Sequence, residues 1–235
     1  MSTVPWMSYD DNMYFKPNLL GGSIGFTVDL SQHTCNCVAA VYLVKMPGKD
    51  SNGNTWWDTD GYGYCDAQGQ GGGNMCPEVD IMEANKYAFS GTPHHCDAPM
   101  SSGYYNSCDG NGLNINDALE IGVGSNDYGP GSGYVINTDN EFNYVVNFIE
   151  NNGNFSQMSI SVVQWQPEGW FNSLWIEKDM GNYGMAQDLR DGLSLVVSNW
   201  AAADTEWLSH GRCSGSCDSP PPLAIKDIYI YTGDY

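Results

Sequence analysis

The 235-residue chain carries 28 acidic against 8 basic side chains, a formal charge of −20. Such a field repels nucleic acid, anionic membranes and polyanionic glycans, and favours a neutral or cationic partner. Only 15% of residues are charged while 13% are aromatic, which excludes a disordered chain and leaves enough apolar material for a sizeable core.

Read in chain order, the hydrophobic periodicity is mostly two. Gly21-Gly22-Ser23-Ile24-Gly25 matches the hydrolase pattern G-x-S-x-G, but a β pattern follows where a helix is required, so it reads as a glycine-rich strand entry. Gly25 to Leu30 alternates, and Val38 to Val44 is a continuous apolar run, as in a strand buried on both faces. Residues 47–75, rich in Gly, Asn and Asp and containing Trp56 and Trp57, predict a long surface loop that walls a cleft. The glycines between Gly69 and Gly73 are not followed by Lys-Ser/Thr and form no phosphate loop. Further strands are expected at Tyr134–Asn137, Tyr144–Ile149, Met158–Trp165, Leu174–Ile176, Leu193–Trp200 and Ile225–Tyr231, with one short helix around Met185 to Arg190. Many strands, frequent turn signals and little helix predict an all-β antiparallel sandwich or jelly roll, organised as one domain over 1–235.

The eight cysteines (Cys35, Cys37, Cys65, Cys76, Cys96, Cys108, Cys213, Cys217) are even in number and scattered, as disulfides in an oxidising compartment would be. Zinc competes poorly: Cys35 and Cys37 are too close together, and Cys213 and Cys217 have no matching histidines. Asn154-Phe155-Ser156 is a glycosylation sequon, in keeping with secretion. Met1 to Met7 has no basic, apolar leader pattern, so either a leader has been removed or Met1 is not the natural start. No run approaches membrane-spanning length.

The most informative segment is Glu78-Val79-Asp80-Ile81-Met82-Glu83. A helix cannot gather its three carboxylates, because at about 100° per residue Glu83 lies roughly 140° from Glu78. A flat strand puts Glu78 and Asp80 on one face and Glu83 on the other. One β-bulge between Asp80 and Glu83 restores Glu83 to the shared face. The pattern therefore predicts a bulged strand lining a cleft, against the alternative of a solvated acidic strand or a calcium site. His94 and His95 follow by a short turn, and His94 either hydrogen-bonds near the acids or fills that turn. No further ligands stand at metal spacing, so neither metal nor cofactor is expected. Trp200 and Trp207, at a strand end and in the loop after it, are candidates for stacking on sugar rings, against the alternative of core packing.

Several blocks together resemble glycoside hydrolase family 7, the cellobiohydrolases and endoglucanases. Asn18-Leu19-Leu20-Gly21 and Val28-Asp29-Leu30-Ser31-Gln32 are similar to its "LLG…F-VDVSQ" segment, and Val41-Tyr42-Leu43-Val44 to its "ALYFV" strand. Gly63 to Gln68 resembles "GYCDSQ", Cys76 to Asn85 resembles "C-EMDIWEAN", and Thr92 to Cys96 resembles "TPHPC". Tyr128 to Ser132 and Ser198-Asn199-Trp200 complete the ordered set. The resemblance implies a curved, concanavalin-like β-sandwich whose concave sheet holds a glucan chain. It implies Glu78 as nucleophile, Asp80 as its helper and Glu83 as acid/base. It also implies Tyr42, Tyr64, Asp66, Gln68 and His94 as substrate-binding residues, with Trp200 and Trp207 as stacking platforms. By the same mapping Cys65 pairs with Cys76, Cys96 with Cys108 and Cys35 with Cys213, and Cys37 with Cys217 completes the set.

Family domains are longer and begin with strands that precede this segment, so a reduced relative or a fragment is expected, with shortened roofing loops and an open cleft. Met82 stands where the family carries Trp, and no Lys or Arg occurs between His95 and Lys178, where cellobiohydrolases of the family hold product-site arginines. The expected activity is a retaining, endo-acting β-1,4-glucanase, secreted and monomeric, acting on a neutral β-glucan. Three mutually repelling acids should raise at least one carboxyl pKa and so keep a proton for the acid step. The alternatives are a non-catalytic glycan-binding protein and a β-1,3(1,4)-glucanase.

Overall fold

The computed structural model describes residues 14–47, 63–70, 73–113 and 126–233. In chain order the strands are β1 (Ser23–Asp29), β2 (Cys37–Val44), β3 (Glu78–Ala84), β4 (Phe89–His94), β5 (Tyr128–Gly129), β6 (Ile136–Asn137), β7 (Phe142–Asn151), β8 (Asn154–Trp165) and β9 (Phe171–Asp179). The helix α1 (Ala186–Asp191), β10 (Ser194–Ala201), a one-turn α2 (Glu206–Ser209) and β11 (Ala224–Tyr231) follow. A five-stranded antiparallel sheet runs β11-β1-β7-β8-β9, and a four-stranded antiparallel sheet runs β10-β2-β3-β4.

The two sheets pack face to face over one apolar core. Phe26, Tyr144, Phe148 and Ile160 from the larger sheet join Val41, Leu43, Val79, Ile81 and Met82 from the smaller. Phe26 stacks on Tyr144 with ring centroids 5.6 Å apart, and each fully buried side chain of this kind contributes roughly 1.5–3 kcal/mol. β7 shows the clean alternation of a strand buried on one face. β2 is buried at all eight positions, because Ala40, Tyr42 and Val44 on its other face pack under the Cys65–Cys76 loop. The β7–β8 hairpin turns through Asn152 and Gly153, both at positive φ, and leaves the sequon residue Asn154 exposed.

All four cystines form as the family resemblance implies: Cys35–Cys213, Cys37–Cys217, Cys65–Cys76 and Cys96–Cys108. The first two tie the start of β2 to the segment after α2.

Parts of the fold differ from the sequence reading. Tyr134–Asn137 contributes only the two-residue β6, paired in parallel with β5. β4 was not legible as a strand, because Gly91 and Pro93 read as breakers; Pro93 is tolerated because β4 is the sheet edge. His94 consequently ends a strand directly opposite Glu78 instead of filling a turn. Trp56 and Trp57 lie outside the described residues.

Candidate active site

The outer face of the four-stranded sheet floors a cleft of about 490 Å³. Across the β2–β3 ladder Tyr42 faces Asp80 and Val41 faces Met82, so Ile81 is passed over. Across β3–β4 Asp80 faces Thr92 and Glu83 faces Ser90, so Ile81 and Met82 together oppose Gly91. This bulge sends both Ile81 and Met82 into the core and returns Glu83 to the face of Glu78 and Asp80. Gly91 leaves the space the bulge needs, since a Cβ there would lie 2.9 Å from Ile160 Cδ1 and 3.3 Å from the Ile81 carbonyl oxygen.

The three acids are not equivalent. Glu78 is buried, and its Oε2 accepts the Ala67 N–H at 2.8 Å. Burial holds its pKa well above the ordinary range, with the Asp80 charge adding to the shift and the Ala67 N–H and His94 opposing it. Glu83 also lines the cleft, and among the described residues no donor reaches its carboxyl. Its pKa is likewise raised, first by burial and then by Asp80, with His94 opposing. Repulsion among the acids therefore acts as expected, but removal from water is the larger cause.

Asp80 is bound to His94, with Nε2 to Oδ2 at 2.9 Å. The other ring nitrogen, Nδ1, lies 2.8 Å from the Asp109 carbonyl oxygen, which can only accept, so Nδ1 carries a hydrogen. The Nε2 contact then holds either imidazolium against carboxylate or a neutral ring accepting from a protonated Asp80. Burial, followed by the Asp66 charge, pushes Asp80 up to about 8. Glu78, Asp80 and His94 each bring one potential ligand atom within 4.8 Å of the others, a spacing a divalent cation could bridge. The hydrogen bond to Asp80 occupies the ring nitrogen such an ion would use.

Every substrate-binding candidate read from the sequence lies on this cleft: Tyr42, Tyr64, Asp66, Gln68, His94, Trp200 and Trp207. The Tyr42 and Tyr64 hydroxyls are 2.9 Å apart. Asp66 is largely spent on its own turn, accepting the N–H groups of Gln68 at 3.0 Å and Gln70 at 2.9 Å. The Gln68 side chain reaches across to the Gly110 carbonyl at 3.1 Å. Trp200 and Trp207 lie parallel to within 8°, with centroids 6.3 Å apart, too close to admit a sugar ring between them. They form one aromatic surface, partly open through Trp207, which is 42% exposed. Sequence reasoning missed Thr92, Asn111 and Ser198, which also line the cleft, and the Ala67 N–H. Ser198 was within reach of the period-two rule, being two residues before Trp200. Asn111 and the Ala67 amide come from loops with no periodic signal.

The family model described as glycosyl hydrolase family 7 matches residues 2–72 and 69–167. Endo-beta-1,4-glucanase celB of Aspergillus oryzae is 33% identical over 95% of this chain and 64% of its own length. Endoglucanase EG-1 of Trichoderma longibrachiatum is 30% identical over 89% of this chain and 49% of its own length. The chain thus spans about half to two thirds of these relatives. Among solved structures, the endocellulase EGI of Humicola insolens superposes with a TM-score of 0.73 at 24% identity, covering 98% of this chain and 71% of that one. A cellobiohydrolase from Melanocarpus albomyces complexed with cellotetraose gives 0.66 at 23% identity, over 99% and 75%. With the ordered motifs, the sandwich and the bulged acidic strand all agreeing with the family match, the chain belongs to glycosyl hydrolase family 7.

Proposed function

We propose that the protein is a retaining endo-β-1,4-glucanase, secreted and monomeric, that cleaves a neutral glucan in the open cleft. The observation that carries this reading is the bulge, which turns three carboxyls onto one cleft face, where among the described residues only Glu78 has a backbone donor. Glu78, held by the Ala67 N–H, is the better placed to be anionic and attacks the anomeric carbon. Glu83 keeps its proton and delivers it to the departing glycosidic oxygen, so the C–O bond breaks as the glycosyl–Glu78 ester forms. Glu83, now a carboxylate, takes a proton from water as that water attacks the anomeric carbon and frees Glu78. Asp80, bonded to His94, stands beside Glu78 and tunes its charge. The Trp200–Trp207 surface stacks the sugar, and Tyr42, Tyr64, Gln68 and Asp66 meet its hydroxyls. The four cystines fit an oxidising, extracellular setting.

The endo-β-1,4 assignment is drawn from what the relatives celB and EG-1 are named for. The test is a reducing-sugar assay on β-1,4-, β-1,3- and mixed-linkage glucans, with product sizing and NMR of the first-formed anomer. Glu78→Gln and Glu83→Gln should each lower hydrolysis by at least about 10²-fold while leaving the fold intact by circular dichroism. Near-normal turnover in either variant would overturn the assignment, and binding without sugar release by the parent protein would leave a lectin.

A further inference from the structure

The opposite side of the sandwich carries a second feature. The outer face of the five-stranded sheet forms a trough of about 750 Å³, separated from the cleft by the core and the four-stranded sheet. Strand register gives its construction. One row across the sheet reads Tyr229, Gly25, Val145, Ser161, Trp175, and the next reads Tyr231, Ser23, Asn147, Ser159, Glu177. Small and hydroxylated side chains make the floor, and aromatic rings stand at both edges. The two edges lie four strand spacings apart, about 19 Å. Tyr231 is 67% exposed and Trp175 57%, unusual values for rings that a core could have used. The Tyr229 ring lies over Gly25, where a Cβ would meet it at 2.2 Å.

Along the β8–β9 edge the aromatic line continues. Phe171, paired with Trp165 at 5.3 Å between centroids, lies on the same face as Trp175 and about 14 Å from it along the strand. Among the described residues the lining contains no cation, and β7 and β8, which make most of the floor, contain no Lys or Arg at all. Among the described residues its one charged lining residue is Glu150, and Glu177 on β9 accepts the Trp175 indole N–H at 2.9 Å. An anionic ligand is therefore disfavoured. Flat apolar rings at the margins and short hydroxyl and amide groups between them match a polymer with apolar sugar faces and hydroxylated edges.

We propose that this convex trough is a second binding site for a neutral β-glucan chain, holding the protein on polymeric substrate while the cleft on the other side remains free. The proposal does not require that the cleft be hydrolytic. Adsorption isotherms on insoluble β-1,4-glucan test it, comparing Glu78→Gln with the triple variant that adds Trp175→Ala and Tyr231→Ala. A second triple variant, Glu78→Gln with Trp200→Ala and Trp207→Ala, reports the cleft's own share. Both added sites of the convex variant are exposed, so its melting temperature should match that of the parent. Loss of affinity of about tenfold in the convex variant supports the site. Unchanged adsorption in that variant, or no adsorption by the Glu78→Gln parent, overturns it. Failure of the hydrolase reading would show separately, as undiminished turnover by Glu78→Gln.

Discussion

Replacing Asp80 by Asn isolates the electrostatic cost of the acidic cluster. In the folded protein burial pushes Asp80 up to about 8, whereas the unfolded chain releases the same proton near about 3.9. Between those values the folded state holds a proton that the unfolded state has lost, so stability falls as pH rises. The contribution is fully present below about pH 4 and is gone once the pH passes through about 8. One proton corresponds to about 1.4 kcal/mol per pH unit, or roughly 4 kcal/mol between pH 5 and 8. In a chain of this size 1 kcal/mol moves the melting temperature by about 2–4 °C, so the difference amounts to about 8–16 °C. Asn cannot titrate, and its amide can still donate to His94 Nε2. Asp80→Asn should therefore lose less stability across this range than the parent, the more so because it also removes the Asp80 charge that raises Glu78 and Glu83. Melting temperatures or urea midpoints at pH 5, 6, 7 and 8 give the result. Parallel curves for the two proteins would refute the argument that burial holds a proton on Asp80.

Other expectations follow from neighbouring contacts. A Cβ at Gly112, which sits at a φ of +65°, would lie 2.5 Å from Thr92 Cγ2 and 2.7 Å from the His94 ring, so Gly112→Ala should displace His94 from Asp80. Glucan turnover should drop by roughly 10²-fold, measured as kcat on a soluble glucan. His33 is fully buried, and burial lowers its pKa against the opposing pull of Asn199 and Asp29. The unfolded chain then binds the proton first as pH falls below about 6.5, and stability drops; His33→Gln should flatten that acid limb of a pH–melting curve. Removing Cys37–Cys217 by Cys37→Ser with Cys217→Ser should cost no more than about 2 kcal/mol in urea unfolding, because Cys35–Cys213 still closes nearly the same long loop.

The sandwich and the acidic strand were legible because both depend on short-range pattern. Period-two runs marked β1 and β7 to β11, a continuous apolar run marked β2, and the spacing of Glu78, Asp80 and Glu83 demanded one extra residue before the third acid could share a face. β4 escaped because its Gly91 and Pro93 are breakers by local rule, and only its place at a sheet edge, opposite a bulge, makes both acceptable. Asn111 and the Ala67 N–H escaped because loop backbone has no periodicity to read.

The sequence alone therefore determined which residue types could meet on β3 and that a neutral partner suits a chain so acidic. The tertiary structure decided the proton balance, since desolvation of Glu78, Asp80 and Glu83 depends on what covers them and not on their spacing. It also decided the convex trough: Tyr229, Gly25 and Trp175 come from three strands far apart in the chain, and only the order in which those strands hydrogen-bond brings their side chains into one row.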